Sequence, residues 1–118
     1  MFYFENLRVY QEALAIVTEL YAVSKTFPKD ELFGLTNQLR RAVVSIALNI
    51  AEGSSRTKKD FRHFLDLVRG SCFECIAILT IAKNNNYVSE DQYQRCYEKI
   101  TKLTRMIHAL KNSISLSP

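Results

Sequence analysis

The sequence predicts an all-α protein, an antiparallel up-down-up-down four-helix bundle, and three observations carry that reading. Apolar residues recur at alternating three- and four-residue spacings in four long runs, the period of an amphipathic helix. Only 3 Gly and 2 Pro are present, one of the prolines being the last residue. That is too few turn formers for a β-sandwich or barrel, and the 47% hydrophobic content is too high for a disordered chain. No run alternates strictly enough to be a strand. With 118 residues, the chain makes one domain over 1–118, because two would each be too small to bury a useful core.

The first helix is expected over about 6–26, with Asn6 as its cap and an apolar side of Leu7, Tyr10, Leu14, Val17 and Tyr21. Phe27-Pro28 stops it, since proline disfavours α geometry at the preceding residue. The second runs over about 31–53, starting at about Glu31 or Leu35, and is broken by Gly53-Ser54-Ser55. The third, about 57–84, carries Phe61, Phe64, Leu65, Val68, Cys72, Ile76 and Leu79 and ends at Asn84-Asn85-Asn86, asparagine favouring caps and turns. Ser89 with Gln92 three residues on forms a capping box that opens the fourth, about 89–114. Connections this short make sequential helices antiparallel neighbours.

The second helix is unusual. From Ala42 to Ala51 eight of ten residues are apolar, whereas a peripheral bundle helix needs one apolar stripe. Cover from more than one side is therefore expected, either from a second copy of the chain or from the flanking helices and the Phe2-Tyr3-Phe4 segment. Its polar residues Gln38, Arg41, Ser45, Asn49 and Glu52 fall within roughly an 80° arc. Ser71 and Glu74 on the third helix are candidate partners, with Arg41–Glu74 the first pair expected. Such a strip is either a small polar pocket or, more ordinarily, a network that fixes helix register.

Charge is unevenly placed. Residues 1–39 carry a net −2 and residues 40–118 a net +6, within a formal +4 for the whole chain. Arg56, Lys58, Lys59 and Arg62 cluster at the turn into the third helix, and Arg95, Lys99, Lys102 and Arg105 form a strip on the fourth, diluted by Glu98. Such cations neutralise phosphates in a sequence-independent, salt-sensitive way; on a monomer alone they serve solubility. Symmetric assembly repeats each patch and favours the polyanion reading.

Motifs for catalysis are absent. Cys72-x-x-Cys75 lacks a second pair or properly spaced histidines for zinc and a preceding strand for thiol–disulfide exchange, so these and Cys96 read as core residues. Asp60-x-x-His63 stands alone where a di-iron bundle needs two Glu-x-x-His motifs, and nothing comparable surrounds His108. Gly34, Gly53 and Gly70 are too far apart for a phosphate loop. No enzyme, metal or cofactor is expected. The odd cysteine count fits a reducing compartment, and neither a signal peptide nor a run of roughly 20 apolar residues is visible, so a cytoplasmic protein without a membrane partner is expected.

The segment from Gln38 to Gly53, with Asn49-Ile50-Ala51-Glu52-Gly53 at its end, resembles the signature of the four-helix-bundle proteins encoded by intervening sequences within 23S ribosomal RNA genes. Phe27-Pro28, Glu31 and Gly34-Leu35 before it, and Arg69-Gly70-Ser71 with Glu74 after it, extend the likeness over about 4–111. It departs at Ala47-Leu48, where the family often has proline and a small polar residue. The resemblance implies homopentameric rings of antiparallel bundles, with no catalytic residues. A related group, the accessory proteins of diversity-generating retroelements, implies basic pentamers that bind nucleic acid and a reverse transcriptase. The expectation is a self-assembling, non-catalytic bundle that binds RNA or DNA through the eight cations named above; the alternative is a scaffold for a polymerase or ribosome-associated protein.

Overall fold

The computed structural model describes residues 1–114, so the last four residues of the expected 1–118 domain lie outside the described residues. Four helices account for most of the described chain: α1 Arg8–Ser24, α2 Leu35–Ser54, α3 Lys58–Asn84 and α4 Glu90–Ser113, with no strand among the described residues. The molecule measures 52 by 22 by 21 Å. α1 and α3 each pack on both α2 and α4, whereas the backbones of α2 and α4 nowhere approach closely, so they lie diagonally across the bundle.

One helix start differs from the sequence expectation and another is decided between two. Asn6 does not cap α1; it ends a 3-10 turn, Tyr3–Asn6, and Leu7 takes the cap position with no side-chain hydrogen bond. The Phe4 and Tyr10 rings meet edge-on at 4.9 Å between centroids, which fixes that turn against α1. α2 begins at Leu35, the later of the two starts expected, because Lys29–Glu31 form another 3-10 turn. There Glu31 is the capping group: its Oε1 accepts from the Leu35 amide at 3.2 Å and its Oε2 from the Tyr87 hydroxyl at 3.1 Å. A Cβ on Gly34 would come within 2.9 Å of that same Oε1.

The other ends follow local chemistry. α2 runs through Gly53 to Ser54. Thr57 Oγ1 accepts from the Asp60 amide at 3.2 Å to start α3. α3 closes in a Schellman motif, with Tyr87 N–H donating to Ala82 O at 2.8 Å, Asn86 N–H to Lys83 O at 3.0 Å, and Asn86 left-handed at φ 62°. The Ser89–Gln92 box opens α4, each side chain bonded to the other's amide at 3.1 and 2.9 Å.

The core is one cluster fed by all four helices, with Ile16, Leu20, Leu39, Ile46, Ile50, Leu65, Leu79, Ile100 and Leu103 fully enclosed. Gly53 lets α2 meet α3 closely: a Cβ there would lie 2.5 Å from Phe64 Cβ. α1, α3 and the N-terminal 3-10 turn pack on α2 and cover its apolar residues, except that Leu48 stays 63% exposed. The all-round apolar character of α2 is thus largely met within one chain. No described helix is long and apolar enough to cross a membrane.

Candidate nucleic-acid interface

The cations at the start of α3 divide into committed and free. Arg56 reaches back one turn to Glu52, Nη2 to Oε1 at 2.6 Å, and that contact raises the guanidinium pKa. Arg62 Nη1 donates to Lys111 O at 2.6 Å and Ile114 O at 3.3 Å, closing the carbonyl end of α4. Lys58 and Lys59 are exposed and, among the described residues, no carboxylate lies within ion-pair distance of either. They occupy the first turn of a 27-residue helix, where the backbone dipole adds to their positive potential.

The strip on α4 is closed off more than the sequence implied. α1 turns Glu12 and Glu19 toward it: Lys99 Nζ lies 2.5 Å from Glu19 Oε2, Arg95 Nε 3.9 Å from Oε1, and Lys102 Nζ 3.6 Å from Glu12 Oε1. Glu19 Oε2 is buried, and the ammonium approaches it outside hydrogen-bond geometry. With Glu98 counted too, these four cations carry a net of one positive charge. Arg105 alone of the four has no acidic partner among the described residues. Glu12 and Glu19 lie one heptad apart beside the α1 core stripe of Val9, Ala13, Ile16 and Leu20, and that spacing is the signal that could have found them.

Of the polar strip on α2, the structure brings two residues, Ser45 and Asn49, together with Ser71 of α3. Ser45 and Ser71 share a hydrogen bond at 3.0 Å across the α2–α3 seam, and Asn49 Nδ2 donates to Ser45 O and Oγ at 2.8 and 2.9 Å. The expected Arg41–Glu74 pair is not formed: both side chains are exposed and neither is ion-paired among the described residues. Gln38 is exposed as well, and Glu52 is given to Arg56. These residues stand at a helix edge facing solvent, where pairing is optional.

Cys72, Cys75 and Cys96 are free thiols in the core, pushed up by burial to about 12, about 12 and about 11 respectively. His63 is exposed, and His108 Nε2 lies 3.1 Å from Asn112 Nδ2. No three His, Cys, Asp or Glu side chains among the described residues are placed to hold a metal ion.

Sequence reasoning missed a trough between α3 and α4. Its apolar part, about 390 Å³, lies between Phe73, Ile76 and Ala77 on one side and Tyr97 and Thr101 on the other. An adjoining hollow of about 430 Å³ shares Phe73 and Thr104 and is flanked by Arg69, Arg105 and His108. The Arg69 guanidinium sits 4.9 Å from the Phe73 ring centre. Phe73 lies outside the apolar stripe expected for α3 and is half-exposed; its absence from that stripe is the signal that could have found it.

Residues 5–109 match the 23S rRNA-intervening sequence protein family. The chain belongs to that family. As a member, it shows α2 running unbroken through Ala47-Leu48. The same four-helix fold occurs in the crystal structure, at 1.70 Å, of a protein with unknown function from the S23 ribosomal protein family of Bacteroides thetaiotaomicron VPI-5482. The two superpose with a TM-score of 0.82 at 19% identity, over 89% of this chain and 99% of that chain. No curated protein matches the sequence of this family member.

Proposed function

We propose that this protein is a non-catalytic, cytoplasmic bundle with up-down-up-down connectivity, which assembles into a symmetric pentameric ring and binds RNA or DNA through repeated basic patches. The connectivity is supported by Arg62, at the start of α3, reaching the carbonyls at the end of α4. The observation that carries the binding site is that Lys58 and Lys59, beside the α3 N-terminus, have no ion-pair partner among the described residues. Repetition around a ring multiplies that patch without new sequence.

The eight expected contacts are graded by their neighbours. Lys58, Lys59 and Arg105 meet phosphate directly. Arg56 and Lys102 contribute after exchanging exposed carboxylate partners, pairs worth only about 0–1 kcal/mol, whereas Arg95 and Lys99 contribute less because their partner Glu19 is largely buried. Arg62 acts through the end of α4 that it holds. Contacts of this kind recognise backbone and shape more than base edges.

Fluorescence anisotropy with a labelled structured RNA and a matched single-stranded DNA, titrated across salt, tests the reading. Binding whose logarithm falls linearly with log salt supports it, and the slope counts the phosphates neutralised. No binding at low salt would overturn it. The trough on α3–α4 favours one second reading, a scaffold that captures a polymerase or ribosome-associated protein; partner capture would then depend on Phe73 and Tyr97 and not on the lysines.

A further inference from the structure

The most exposed phenyl ring of the molecule stands on a fixed support. Phe33 is 93% exposed, at the connection between α1 and α2, beside a half-exposed Leu32 and an exposed Asp30. The turn that carries it is held at both ends. Glu31 is bonded to the Leu35 amide and the Tyr87 hydroxyl, and the Thr26 hydroxyl donates to Tyr87 O at 2.7 Å. The backbone beneath the ring is thereby held before docking, so docking has only the side chain left to order.

The α3–α4 trough has the complementary character. Its apolar part, at about 390 Å³, has the size of an ordinary ligand pocket, roughly 300–1,000 Å³, and is flanked by the aromatic rings of Phe73 and Tyr97. Arg69, with no carboxylate in ion-pair range among the described residues, marks its basic end. An acidic residue three positions before an exposed phenyl matches that order of basic and apolar surface.

We infer that Phe33 of one copy fills the α3–α4 trough of the next, with Asp30 of the first facing Arg69 of the second. The knob cannot serve its own trough. Its turn is tied to Tyr87, beyond the end of α3, and Ala77 lies seven residues down α3 from Asn84, on the order of 10 Å at 1.5 Å per residue and on the face toward α4. Knob and trough are different surfaces, so the contact is head-to-tail, and repeating it gives a closed ring or a filament. The offset in height inclines neighbouring bundles to one another. This contact rests on the ring reading above and assigns its interface.

The solution mass, by light scattering on a sizing column, tests it with two variants at exposed positions, Phe33→Ser and Ala77→Trp. The first removes the knob and the second fills the trough. The wild type is expected to elute as a multimer of the 13.6 kDa chain and each variant as a monomer with unchanged helical circular dichroism. Mixing the two variants restores one intact contact, so the mixture gives a dimer that grows no further. Asp30→Arg is likewise expected to dissociate the assembly, and Arg69→Asp in the same chain to restore it. A multimeric wild type whose two variants stay multimeric overturns this interface and leaves the ring reading standing. A monomeric wild type overturns both, and the trough then belongs to a partner of another kind.

Discussion

Gly53 and Gly70 make opposite demands within one fold. A Cβ at Gly53 collides with Phe64, whereas at Gly70 nothing lies within 4 Å. Gly53→Ala is therefore expected to destabilise by about 1–3 kcal/mol through overpacking. Gly70→Ala, inside α3, is expected to stabilise by about 0.5–1 kcal/mol through helix propensity. Urea unfolding followed by circular dichroism reads both, and equal shifts would contradict the packing described. The thiols add a pH prediction. Burial holds Cys72 and Cys75 at about 12 and Cys96 at about 11, above an ordinary value of 9.0. The folded state therefore keeps protons that the unfolded chain releases, and stability from this source is complete below pH 9 and is lost as pH rises toward 11–12. A variant with all three cysteines changed to alanine should lose stability less steeply between pH 9 and 11. Their core placement was legible from their position on the α3 and α4 stripes; the fate of Arg41 was not, because helical periodicity gives a residue's face but not the depth at which its neighbour packs.

At the scale of elements, ends are set by small groups whose reach is local, and these were legible unevenly. The Ser89–Gln92 box was readable because the motif and its partner lie in four consecutive residues. Ser89→Ala is expected to cost about 1 kcal/mol, measurable as a lowered urea midpoint with an unchanged m-value. The start of α2 was readable only as a choice between Glu31 and Leu35, because its cap is Glu31 acting across a 3-10 turn with Tyr87 as second partner, a contact 56 residues away in the chain. Glu31→Ala should destabilise more than Ser89→Ala, since it frees both the Leu35 amide and the Tyr87 hydroxyl. The α4 strip shows the same limit in charge. Its cations were visible in sequence, but their balance depends on which helix packs beside them, and α1 brings Glu12 and Glu19.

For the whole molecule, the four-helix fold was legible because period, capping and scarcity of glycine and proline agree with one another. The candidate site was legible as a list of cations and not as a surface. Packing decides which of them keep free charge, and it leaves Lys58 and Lys59 at the mouth of α3 open while pairing Lys99 and Lys102. That contrast allows a comparison at equal net charge. The measurement is the salt dependence of RNA binding for Lys58→Gln/Lys59→Gln beside Lys99→Gln/Lys102→Gln, each two charges below the wild type. The account predicts that the first pair loses more affinity and flattens the slope of log affinity against log salt by about 2, and that the second changes it by less. Equal loss in both would show that only total charge matters, and binding unchanged by the first pair would contradict the site.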